Sequence, residues 1–253
     1  MKFKKYKNFE KKKFRKNENT FLIEGWRGVS ELLNSNFQIE TVLIENELNL
    51  SDENNKVLNQ LKKLSNGFVE INKNEFQNLS ETVNSQGIIA EVEKPNYNFD
   101  SMISSKKNNC TIIALDEITD PGNLGTIIRI CDWFGVDAIL IGKNSCELYN
   151  PKVIRSSVGS ILHLPIFEKV NLEIELKKIK NFQIIGADLK SKISIEKFKF
   201  KEKVCIIIGS EARGISNQLK KIIPENFIIP KFGKAESLNA AVSLSVALTK
   251  RFL

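Results

Sequence analysis

One histidine, four cysteines and no long apolar run are found in this chain of 253 residues. No stretch approaches the roughly 20 apolar residues that span a bilayer. The lysine-rich start is followed by no apolar block, so it does not read as a secretory signal. The cysteines, at 110, 131, 146 and 205, form no Cys-x-x-Cys pair and have no histidine cluster to join. That speaks against a disulfide framework or a zinc site, and reduced, mostly buried thiols in a cytoplasmic protein are expected. The single histidine, His163, lies in Ile161-Leu162-His163-Leu164-Pro165. It is expected to be structural, in or near a strand, which leaves no histidine for acid–base chemistry. No metal is expected.

The charge is not spread evenly. Of the formal net charge of +8, residues 1–16 account for all, with nine Lys or Arg against one Glu; the rest of the chain holds 29 basic and 29 acidic side chains. Phe3, Tyr6, Phe9 and Phe14 punctuate this basic stretch. A block of like charge predicts a disordered arm that adds sequence-independent attraction to phosphates. Phe3, Tyr6 or Phe9 would then be free to stack on unpaired bases. A solubilising tail without a partner is the competing reading.

Beyond the arm, Thr20 to Gly25 leads into an amphipathic helical stretch at Val29–Leu33. Strand-like runs follow at 40–44 and 87–92, with Leu58, Leu61 and Leu64 at helical spacing between them. These predict a small α/β domain over 17–95, then a polar linker over 96–109. From Cys110 the alternation is regular. Apolar runs at 111–115, 138–141, 182–187, 204–208 and 227–229 are separated by helical segments at 124–134, 152–158, 172–179 and 215–222, and a last one follows at 238–252. Near-continuous apolar strands between helices predict a parallel sheet covered on both faces. Yet no Gly-x-Gly-x-x-Gly follows the first strand, where Asp120-Pro121-Gly122-Asn123 stands instead, and there is no Walker phosphate loop. Any nucleotide-like cofactor must be held by other loops.

Three segments of this half stand out in one order. They are Asn123-Leu124-Gly125-Thr126-Ile127-Ile128-Arg129, then Gly209-Ser210-Glu211-Ala212-Arg213-Gly214, then Ile229-Pro230 through Glu236-Ser237-Leu238-Asn239-Ala240-Ala241. A fourth, Tyr149-Asn150-Pro151-Lys152-Val153-Ile154-Arg155-Ser156-Ser157-Val158-Gly159, lies between the first two. In this order the set resembles the motifs of the SpoU (TrmH-like) family of RNA ribose 2′-O-methyltransferases, in the SPOUT superfamily. Residues 110–253 are similar to its catalytic domain, and the region from about Asn19 to Pro95 to the small substrate-binding domain that often precedes it.

The resemblance implies a parallel sheet with a C-terminal trefoil knot, S-adenosylmethionine as cofactor, RNA as substrate and a homodimer. General rules of chain topology disfavour knots, so the knot comes from the resemblance alone. It also implies a cofactor site lined by Gly209, Ile229 and Leu238, with Ser237 beside them; Ser237 or a neighbour can cap the helix that Leu238 and Asn239 begin. Arg129 would sit beside the target ribose, with Asn123, Glu211 and Asn239 completing the catalytic set. A guanidinium is effectively always protonated, so positioning the ribose is an easier role for Arg129 than removing its proton. Glu211 could orient Asn123 or Arg129, or take the proton. The two-domain layout favours ribosomal RNA over tRNA. Three other readings compete: a catalytically silent RNA-binding relative, a relative that methylates a base nitrogen, and an unrelated α/β nucleotide-binding module.

Overall fold

The computed structural model describes residues 3–253 except Glu81, Val83 and Lys107. The chain divides into two compact units, one of residues 1–96 with 149–163, the other of residues 97–148 with 164–253.

The first unit is built on four strands, β1 (Thr20–Glu24), β2 (Ile39–Glu45), β3 (Ser65–Ile71) and β4 (Ile88–Glu93), in the order β1-β4-β2-β3. Only β2 and β3 run parallel. Leu43, Ile71, Phe76, Leu79 and Ile89 form a core between this sheet and the helix Lys73–Leu79. Edge strand β3 escapes the hydrophobic pattern because Ser65, Asn66, Gly67 and Glu70 interrupt it. The strand nevertheless forms, paired to β2 over its length.

The expected disordered arm is not what the structure places there. Met1 and Lys2 lie outside the described residues, but helices form at Lys4–Lys7 and Lys12–Asn17 with a 3₁₀ turn, Asn8–Glu10, between them. The cause is apolar. Phe3 and Tyr6 pack against the core cluster, and Phe9 is buried with its ring edge-on to Phe14 at 5.1 Å. These aromatics serve the fold and do not stand free to stack on bases. Burial pushes the Tyr6 hydroxyl above its usual pKa.

The segment 149–163 is a second departure, since it groups with the first unit rather than the rest of the C-terminal half. Its helix Pro151–Ser157 is capped by Asn150, whose side chain accepts from the Lys152 N–H at 2.9 Å, and Pro151 pre-organises the first helical position. Tyr149 packs on Phe21 with ring centroids 4.7 Å apart. His163 reaches Glu31 at 3.3 Å, a structural contact as expected.

The second unit is a six-stranded parallel sheet of β5 (Cys110–Asp116), β6 (Ala138–Gly142), β7 (Ile166–Val170), β8 (Gln183–Ala187), β9 (Lys203–Gly209) and β10 (Glu225–Phe227), in the order β10-β8-β9-β5-β6-β7. Central β5 is buried at every position, as a strand covered on both faces must be. Edge strand β7 was not legible as a strand, because Glu168 and Lys169 break its apolar run. The expected linker also needs correcting: it contains the helix Phe99–Ser105, capped by Asn98, and Phe99 is drawn into the core below the sheet. Cys110, Cys131 and Cys205 are buried free thiols, and burial pushes the Cys110 thiol up to about 12.

Candidate active site

Strands β5 and β9 lie side by side with Asp116 opposite Gly209, so their following loops leave from one point on the sheet edge. In parallel α/β sheets that edge is where ligands bind. After β5, Asp120 caps the helix Pro121–Trp133 by accepting from the Asn123 N–H at 2.8 Å, and Pro121 occupies its first position. Asn123 is thereby fixed in the first turn, as its place in the sequence implied. After β9, Ser210 and Gly214 close a tight loop, with the Gly214 N–H donating to the Ser210 carbonyl at 2.7 Å. A Cβ on Gly209 would lie 2.2 Å from the Gly214 carbonyl carbon and 2.3 Å from the Ile215 nitrogen, so only glycine fits. Gly209 is therefore required by the close approach of the chain's own loop.

Three of the four expected catalytic residues meet in one cluster. Asn123 Nδ2 donates to Glu211 Oε1 at 2.7 Å. Asn239 Nδ2 donates to the same oxygen at 2.5 Å and to Asn123 Oδ1 at 3.0 Å. The Ala240 N–H points to that oxygen as well, at 3.4 Å. Asn239 Oδ1 turns the other way and caps the helix Ala240–Phe252, accepting from Ala241 and Val242 at 2.9 and 3.3 Å. Of Ser237 and its neighbours, Asn239 is thus the cap, and the helix begins at Ala240 rather than at Leu238 or Asn239. One amide ties together residues 123, 211 and 239, which come from three separate loops.

Arg129 stands apart from that cluster. It is exposed on the helix Pro121–Trp133, about 9 Å along the axis from Asn123 at 1.5 Å per residue. Among the described residues it has no hydrogen-bond or ion-pair partner, so Glu211 orients the two asparagines and not Arg129. Of the expected cofactor residues, Gly209 and Ile229 are half-buried, and Ser237 and Leu238 are exposed, Leu238 by 45%.

Two supporting contacts carried no signal strong enough to find them in the sequence. Asp116, buried at the end of β5, accepts from the Ser216 N–H at 2.7 Å and anchors the far side of the β9 loop. Glu117, held in left-handed geometry at φ 59°, pairs with Arg213 at 2.7 Å. A carboxylate ending a fully apolar strand is the one hint the sequence offered.

Comparison with known proteins agrees with this geometry. Residues 110–249 match the SpoU rRNA Methylase family, and residues 1–90 match the MRM3-like substrate binding domain. The 23S rRNA (guanosine(2553)-2′-O)-methyltransferase RlmP of Bacillus subtilis is 29% identical over 97% of this chain and 93% of its own length. The SpoU methyltransferase AviRb of Streptomyces viridochromogenes, solved in complex with AdoMet, superposes with a TM-score of 0.88 at 23% identity, covering 98% of this chain and 96% of that one. The AdoMet-bound rRNA methyltransferase of Sinorhizobium meliloti does so with a TM-score of 0.85 at 22% identity, covering 98% and 92%. The family match spans more than half of the sequence and contains the whole Asn123–Glu211–Asn239 cluster: the chain belongs to the SpoU rRNA methylase family.

Proposed function

We propose that the protein transfers a methyl group from S-adenosylmethionine to a ribose 2′-hydroxyl of structured RNA, with ribosomal RNA the favoured substrate. The observation that carries this is the pre-assembled Asn123–Glu211–Asn239 cluster, with an exposed arginine further along the helix that starts at Asn123's turn and no partner for it among the described residues. A silent relative would have no need to hold those three loops in register. The ribosomal preference rests on the named activity of the B. subtilis relative, which is similar over nearly the whole chain.

The residues present fit the cofactor. Leu238 and Ile229 offer an apolar surface, and Gly209 and Ser237 offer backbone and hydroxyl groups, which together suit an uncharged adenine. Bound S-adenosylmethionine supplies a methyl group already activated on a sulfonium, so the chain's task is alignment and exclusion of water. Held against Gly209, Ile229, Ser237 and Leu238, the cofactor would supply the methyl carbon and leave as a thioether, while the 2′-hydroxyl would give up its proton to water at the rim of the site. Arg129 holds the ribose and its phosphate and stabilises the developing alkoxide through its fixed fork of donors. Glu211 Oε1 is already occupied by amide donors, which makes it a positioning group for Asn123 and Asn239.

The family's knot and dimer belong to the same reading. The knot rests on the likeness to the family. Ala241, Leu244 and Leu248 are buried in the unit's own core, whereas Trp133 is 85% exposed and Val242 48%, so the latter pair are the better candidates for a dimer face. Light scattering should return twice the chain mass at micromolar concentration. No described helix is long and apolar enough to cross a membrane, and buried free thiols suit the cytoplasm.

The decisive test is incubation with tritiated S-adenosylmethionine and protein-free ribosomal RNA from a strain lacking the gene. Label in a nuclease-resistant 2′-O-methyl dinucleotide is expected. Label on a base, or none, would overturn the reading.

A further inference from the structure

The nine cations of residues 1–16 are sorted by the fold. Two face inward. Arg15, only 4% exposed, donates from Nη1 to the Phe9 and Glu10 carbonyls at 2.6 and 2.7 Å. Lys5 reaches the buried carboxylate of Glu91, which also accepts from Thr20 Oγ1 at 2.8 Å. Lys94 adds a third fastening, donating to the Arg15 and Glu18 carbonyls at 2.8 and 2.7 Å at the end of the helix Lys12–Asn17. Lys11 is tied locally to Asn8 at 3.1 Å. The five that remain, Lys4, Lys7, Lys12, Lys13 and Lys16, are exposed and have no ion-pair or hydrogen-bond partner among the described residues. Lys2 lies outside them.

We propose that Lys4, Lys7, Lys12, Lys13 and Lys16 form an ordered surface that docks the phosphate backbone of RNA without reading its bases. This rests on the RNA-methylation reading above and says which part of the first unit meets the substrate. A cation left in water on a fixed helical platform keeps its full charge and loses less conformational freedom on binding than one on a disordered arm. Phe3, Tyr6 and Phe9, the groups that could have stacked on bases, are turned into the core, so only charge is presented. The segment also falls within the stretch matched by a substrate-binding domain, which favours RNA over an acidic protein as the partner.

Deleting the segment would be a poor test, because Arg15 and the aromatics go with it. The five lysines should instead be changed together to Gln in the full chain, with Lys56→Gln, Lys62→Gln and Lys63→Gln in the same unit as the charge control. Binding to a short fluorescein-labelled RNA hairpin of arbitrary sequence is then followed against salt. Each neutralised phosphate contributes about −0.7 to −0.9 to the slope of log K against log salt. The five-lysine variant should lose about 2 to 4 from that slope and roughly tenfold or more in affinity at physiological salt. Its thermal unfolding should match the parent's. An unchanged slope, or an equal loss per lysine in the control, would overturn the surface. Tighter binding of the parent to poly-glutamate than to the hairpin would overturn RNA as its partner. Methylation at saturating ribosomal RNA is measured alongside. Methylation that persists while the slope stays unchanged sinks the surface alone. A lost slope with no methylation in the parent sinks the catalytic reading alone.

Discussion

Arg15 and Arg129 lie on helices of the two units and are treated in opposite ways. Arg15 is buried, and its guanidinium is used up on the carbonyls of Phe9 and Glu10. Arg129 is exposed, with no partner among the described residues, although the Glu211 carboxylate belongs to the same corner of the second unit. Glu211 is instead satisfied by neutral amides. A fold that needed Arg129 for stability would have paired it. The first unit uses Arg15 to hold a cationic segment in place, and the second keeps Arg129 available for a ligand.

The comparison breaks first at Arg129. Arg129→Ala should lower the rate of methyl transfer by about 10²- to 10³-fold, the scale for losing one group that stabilises a developing oxyanion. Calorimetry should show S-adenosylmethionine affinity nearly unchanged, since the residue serves the ribose. Arg129→Lys should recover little, because a point charge does not reproduce a planar fork of donors. Loss of cofactor affinity in Arg129→Ala would mean the assigned role is wrong.

Arg15→Ala should act on stability. It leaves two carbonyls without their charged donor, at about 1.5–3 kcal/mol for a hydrogen bond to a charged group, and should destabilise the first unit by about 2–3 kcal/mol. Trp26 reports on that unit, and exposed Trp133 on the other. Urea unfolding in a Trp133→Phe background therefore isolates the change. A transition that does not move would show that Arg15 anchors nothing.

What the sequence made legible, and what it concealed, divides along the same line. The central strands were readable because burial on both faces demands uninterrupted apolar runs, as in Thr111–Leu115 and Val204–Ile208. Edge strands β3 and β7 were not, since one open side tolerates Asn66, Glu70, Glu168 and Lys169. The cluster partners were legible through their motifs, but the bonds among them were not: nothing in one dimension says that Glu211 would bind Asn123 and Asn239 rather than Arg129. The basic segment misled for a physical reason. Charge density argues for disorder, while Phe3, Tyr6 and Phe9, spaced three apart, form an apolar stripe at helical period that a count of lysines conceals.

The smallest effect tests whether the cluster is more than a helix cap. Asn239 does two jobs through two atoms: Oδ1 caps the C-terminal helix, and Nδ2 holds Glu211 and Asn123. Asn239→Ala removes both, and cap loss alone costs about 1 kcal/mol. Asn239→Ser keeps a capping oxygen but has no amide to donate across the cluster. Chemical denaturation should therefore place the Ser variant within about 0.5 kcal/mol of the parent, given the near-equal capping preference of Ser and Asn. Methyl transfer should fall in both variants to a similar extent, on the order of tenfold, less than for Arg129→Ala because the reacting groups themselves remain. Equal stability loss in both variants would place the stabilisation in the amide. Full activity in Asn239→Ser would reduce Asn239 to a cap, and Glu211 would then need another means of staying in place.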